Sequence, residues 1–121
     1  MLSYRQNKHD SDSTEVRSVS RAICELCNLV AMSYLNVEDY QQSMNYLKKA
    51  QEYGQHNDAN MALTYNNYAC FYRRCNDLTL AMEFLEKTLR IETRVTDNSS
   101  HQADTHLNMC AVLSQLGKSS T

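Results

Sequence analysis

Cys24-Glu25-Leu26-Cys27 is the spacing in this 121-residue chain that first suggests metal or redox chemistry. A structural zinc site needs four ligands, commonly from two close pairs. Here Cys70, Cys75 and Cys110 are scattered, and His101 and His106 stand five apart. A redox CxxC follows a strand in a βαβ pattern, and no strand pattern precedes this one. Cys27 and Cys110 fall on apolar helical stripes, so the cysteines read as small core residues and no metal or cofactor is expected. The four histidines, His9, His56, His101 and His106, lie in the polar start or near linkers, with no strained turn to display a nucleophile. The chain is therefore not expected to be an enzyme. That leaves side chains suited to binding, which are three Asn at related positions (Asn28, Asn66, Asn108), the neighbouring Met32 and Asn67, and the Arg73-Arg74 pair.

The composition bounds what could position these residues. Twelve basic and fourteen acidic residues give a formal net charge of -2, without the cationic surplus of a nucleic-acid module or a polybasic membrane binder. Apolar residues make up 42% of the chain, enough for a core, yet no uncharged run is long enough to span a bilayer. There is no Pro, and the two Gly are Gly54 and Gly117. Sandwiches and barrels need turn residues about every ten positions, and phosphate loops need clustered Gly. An all-α protein is expected. With an odd number of cysteines and no apolar export signal near Met1, a reducing compartment, the cytoplasm, is expected.

Five helices follow from the periodicity. Residues 1–12 read as a flexible polar tail, and Asp12 with Glu15 resembles a capping pair. Val16, Val19, Ile23, Cys27, Val30, Ala31 and Tyr34 recur at helical intervals to Leu35 or Asn36. Asp39 is suited to cap a second helix that ends at Tyr53, with Gly54 closing it in the left-handed conformation. A third helix is expected over 59–74. A fourth begins at Leu78, with Glu83 before Lys87 and Glu86 before Arg90 on a solvated face. A fifth runs over 101–116, closed by Gly117, and 118–121 form a short tail.

The odd-numbered helices repeat one another. Cys27-Asn28, Tyr65-Asn66 and Leu107-Asn108 each open a segment that carries Ala31, Ala69 or Ala111 at the same offset, 38 and 42 residues apart. Ser43 lies twelve residues after Ala31, and Ala81 twelve after Ala69, with Leu47 and Leu85 following in step. Small residues at those offsets let two antiparallel helices approach closely.

This pattern resembles the tetratricopeptide repeat family. Ala31, Tyr34, Ser43, Leu47 and Ala50 fit its first hairpin, and Ala69, Tyr72, Ala81 and Leu85 its second. The long spacing and Asn-rich first helices are similar to those of kinesin light chains, since the ordinary repeat is about 34 residues. Cys27 stands where a bulky aromatic is usual, the closing Pro is missing, Thr88 replaces Ala, and Ser114 replaces the third Tyr. The resemblance implies a right-handed α-solenoid of about two and a half hairpins over 13–117, acting as a non-catalytic adaptor for a protein or peptide partner. Its first helices would line a concave groove. By helical period, Glu25, Asn28, Met32 and Leu35, then Leu63, Asn66, Asn67, Cys70, Arg73 and Arg74, then Thr105, Asn108, Val112 and Gln115 would face it.

An Asn amide both donates and accepts, so Asn28, Asn66 and Asn108 in file suit the backbone of an extended peptide. Met32, Asn67, Arg73 and Arg74 would set its preference. The alternative for the Asn residues is bonding within the fold, and for the Arg pair a favourable place at a helix C-terminus. Asn28 and Met32 replace the Lys and Asn with which related repeats grip chaperone tails, so that ligand is not expected. The last helix carries Leu107, Cys110, Val112, Leu113 and Leu116 around its circumference. This suggests a second mode, a structural subunit of a larger complex, motor-linked or cytoskeletal, or a homo-oligomer, docked through that helix.

Overall fold

The computed structural model describes residues 15–95 and 99–120, without the side chains of 95, 99–104 and 118–120. The expected tail and the Asp12 cap lie outside the described residues. Five helices make up what is described. They are α1 (Val16–Asn36), α2 (Tyr40–Tyr53), α3 (Asp58–Arg74), α4 (Leu78–Val95) and α5 (Ser99–Ser120). The helices form an all-α repeat solenoid, with α1 packed on α2, α3 on α4, and α5 on α4. No helix among the described residues is long and apolar enough to cross a membrane.

The two hairpin turns are built alike. The amides of Glu38 and Asp39 donate to the carbonyls of Leu35 and Tyr34, at 2.9 Å each. One repeat later, those of Asn76 and Asp77 donate to Arg73 and Tyr72, at 3.0 and 2.8 Å. These bonds satisfy carbonyls that a helix end would otherwise leave orphaned. Glu38 and Asn76 carry the required left-handed backbone, with φ of 64° and 66°. The carboxylates of Asp39 and Asp77 then accept from the amides of Gln42 and Leu80, opening the next helix.

Within each hairpin the small residues meet as their spacing predicts. Ala31, Ser43 and Ala81 are wholly buried and Ala69 nearly so, and the Ser43 hydroxyl donates to the Ala31 carbonyl at 2.9 Å. Leu35 and Leu47, with Tyr68 and Phe71, fill the space of the first core. Leu78, Leu85 and Val112 fill that of the second. Thr88, in place of Ala, is buried by folding its hydroxyl back onto the Phe84 carbonyl at 2.9 Å.

The structure corrects several expectations. Gly54 is not left-handed, since its φ is -97°. What requires glycine is close approach, because a Cβ there would lie 2.7 Å from the Cys24 sulfur and 3.1 Å from the Ala50 carbonyl oxygen. Gly117 closes nothing and lies inside α5, which runs on to Ser120. The third helix begins at Asp58, capped by the Asn57 side chain on the Asn60 amide at 2.9 Å. Val16 and Val19 are exposed, because no described element packs on that end of α1. Cys27 is buried as expected, whereas Cys110 is exposed.

Candidate peptide-binding face

The first helices of successive hairpins are tied together by asparagines, in two different ways. Asn28, on α1, is buried. Its amide donates to the Cys24 carbonyl and the Thr64 hydroxyl, both at 3.0 Å, and its oxygen accepts from Asn67 on α3 at 2.8 Å. The Thr64 hydroxyl in turn donates to the Asn60 carbonyl at 2.9 Å. An Asn in water would not need such partners. Buried, it must have them, because an unmet polar group costs about 1–3 kcal/mol. Asn28 and Asn67 therefore act between helices, and the expectation that they face a groove meets two buried side chains.

At the next seam, Asn108 of α5 donates to the Asn66 oxygen at 3.0 Å. Both are half-buried. The Asn66 amide and the Asn108 oxygen have no further protein partner among the described residues. A donor and an acceptor thus stand side by side at the surface where α3 meets α5. Arg73 is half-buried there and, with Cys70 and Asn108, lines a small cleft above Leu85 and Val112.

The remaining expected positions divide. Met32 is half-buried against the first core. Arg74, although exposed, donates to the Leu35 carbonyl at 3.2 Å and so caps the end of α1 from the following hairpin. Leu35, Thr105 and Val112, expected to face the groove, are buried in the packing instead. Glu25 and Leu63 are exposed.

The thiols of Cys24, Cys27 and Cys70 are not poised for chemistry. Burial pushes the Cys70 thiol above its ordinary range, and Arg73 and Arg74 only partly offset this. Burial also raises Cys24 and Cys27, so all three remain protonated near neutral pH and are poor nucleophiles or ligands. Burial, with Tyr72 and Tyr65 adding to it, pushes the Tyr68 phenol up to about 12. That phenol donates to Gln51 at 2.9 Å and serves the fold. Among the described residues no group of three or more His, Cys, Asp or Glu could hold a metal.

The tetratricopeptide repeat model matches residues 25–53 and 62–93. The chain belongs to the tetratricopeptide repeat family. Neither the curated proteins nor the solved structures yield a match. The two matched segments coincide with the α1–α2 and α3–α4 hairpins, so the equivalent turns and buried small residues are the repeat itself. Tetratricopeptide repeats generally mediate protein–protein interaction. A second polar cleft, lined by Arg17, Arg21, Tyr53 and His56, is not among the positions expected from the sequence. Its signal is two Arg one helical turn apart, at the start of α1, whereas the apolar stripe and the groove positions of α1 point elsewhere.

Proposed function

We propose that the chain is a non-catalytic adaptor that captures an extended peptide segment along the α3–α5 face. The observation that supports this reading is the half-exposed Asn66–Asn108 pair, with one donor and one acceptor left over. An extended backbone offers a carbonyl and an amide with complementary needs. Arg73 alongside favours an acidic neighbour on the ligand. Met32, on α1, offers a polarizable apolar contact. Asn28 and Asn67 contribute indirectly, by fixing the angle at which α1 meets α3.

The test begins with a random peptide library selected on the purified chain. Asn66→Ala with Asn108→Ala is expected to weaken the selected peptides about tenfold, the cost of losing a pair of surface hydrogen bonds. Unchanged affinity in a double variant with the same thermal melt removes the proposal.

A second reading rests on a separate observation. Leu107 and Leu113, on α5, are 67% and 53% exposed. Leu107 occupies the position of Cys27 and Tyr65, which in the complete hairpins faces the second helix. A structural subunit docked through α5 would cover it. The likeness of the long repeats to kinesin light chains suggests a cytoskeletal or motor-associated complex. Leu107→Lys is expected to disrupt such an assembly in size-exclusion chromatography and leave peptide capture intact.

A further inference from the structure

Away from the asparagine face, at the start of α1, lies an open cleft of about 560 Å³ between α1 and the α2–α3 connection. Arg17, Ser20 and Arg21 of α1 line it, together with Tyr53 and His56 from the end of α2 and the connection that follows. Among the described residues, none of those lining it is acidic. The two Arg are four residues apart on one helix, so they are neighbours whose like charges repel. Neither guanidinium is paired with a carboxylate among the described residues. The nearby acid Asp58 is turned to Arg94, at 3.5 Å. The cleft wall is held from behind, where the Asn60 side chain donates to the Arg21 carbonyl at 3.5 Å.

We propose that this cleft is a second binding site, which takes a phosphorylated segment of a partner protein. Guanidinium groups bind phosphate oxygens through paired, charge-assisted hydrogen bonds. The Ser20 and Tyr53 hydroxyls and the His56 ring add donors for the remaining oxygens. The volume exceeds that of a bare phosphate, and the open shape lets a chain enter and leave with its phosphate seated between the two Arg. A bound dianion also relieves the repulsion between them. The site does not depend on the groove, because none of its residues lies on the α3–α5 face.

The experiment measures binding of a fluorescent, position-randomised phosphoserine peptide pool to the full chain by anisotropy, with its unphosphorylated twin and inorganic phosphate as competitors. Saturable binding is expected, displaced far less well by either competitor. Arg17→Gln with Arg21→Gln should weaken it tenfold or more, the loss expected for two charge-assisted contacts. Lys48→Gln with Arg90→Gln, two exposed cations outside both proposed sites, should leave it unchanged. Both altered Arg of the cleft are exposed, and an unaltered melt confirms the fold. His56→Gln gives a second, milder reading of the same wall. Equal affinity in the cleft variant, loss in the Lys48 and Arg90 variant instead, or displacement by inorganic phosphate as effective as by the peptide would each overturn the proposal.

Discussion

Where the first hairpin meets the second, Cys24, Asn28, Thr64 and Asn67 form a buried hydrogen-bonded set. Where the second hairpin meets α5, no such set forms among the described residues; the apolar cluster of Ala69, Leu78, Leu85 and Val112 is the counterpart of the Ala31, Leu35, Leu47, Tyr68 and Phe71 cluster at the first seam, and the asparagines Asn66 and Asn108 sit at its edge. Asn28 and Asn66 occupy the same register position, 38 residues apart. What differs is the neighbour. Thr64 and Asn67 face Asn28, whereas their counterparts on α5, 42 residues on, are His106 and Met109. His106 is exposed, and Met109 packs against the second core. Asn66 then has no buried acceptor set to join and takes its bond from Asn108. A repeat position therefore fixes where a side chain stands. The residue opposite decides whether it is committed to the fold or left at the surface for a ligand.

If the second seam is held by apolar packing, its largest sensitivity lies at Leu85, which is essentially fully buried. Leu85→Ala is expected to cost about 2–5 kcal/mol, the transfer of the lost methyl groups plus the cavity they leave. Urea denaturation followed by circular dichroism measures it. A cost under about 1 kcal/mol would mean that α5 is not docked on α4 as described. The first seam, which has an apolar core of its own, is expected to answer to a polar change as well. Asn28→Ala strands the Asn67 amide, while the Thr64 hydroxyl keeps its bond to the Asn60 carbonyl, and should cost about 1–3 kcal/mol. Asn66→Ala, at the half-exposed counterpart, should stay within about 0.5 kcal/mol. Equal losses in the two variants would break the contrast between the seams. The expected difference also keeps the peptide test clean, because the residue removed there is not one the fold requires.

Much of this architecture was legible in the chain. The offsets of Ala31, Ser43, Ala69 and Ala81 located the close contacts, because only small residues permit them. Asp39 located a cap, because a carboxylate before a helix has one favourable use. The fate of the asparagines was not legible. Helical period gives the direction of Asn28 on its own helix and says nothing of what α3 presents there. The same gap separated Leu35 and Val112, buried by the neighbouring repeat, from the groove positions expected of them. The turn residues were hidden for a different reason. Glu38 and Asn76 take the left-handed backbone that glycine usually supplies, so glycine marked neither hairpin turn; Gly54 did mark the end of α2, without the left-handed conformation, and Gly117 marked no end.

The two glycines turn that last point into a comparison of opposite signs. At Gly54 an added Cβ meets the buried Cys24 sulfur and the Ala50 carbonyl. Gly54→Ala must displace packed atoms and is expected to cost about 1–3 kcal/mol. Replacing Cys24 with Ala in the same chain should relieve part of that cost, a non-additivity that a double-mutant cycle reads directly. At Gly117 nothing lies within 4 Å of the added atom, and neither glycine has positive φ. Glycine inside a helix loses more backbone freedom on folding than alanine does, so Gly117→Ala is expected to stabilise by about 0.5–1 kcal/mol. Had Gly117 closed the helix in the left-handed conformation, the same change would destabilise. A lower melting temperature for Gly117→Ala would therefore shorten α5 to the end read from the sequence, and with it the apolar surface available for docking.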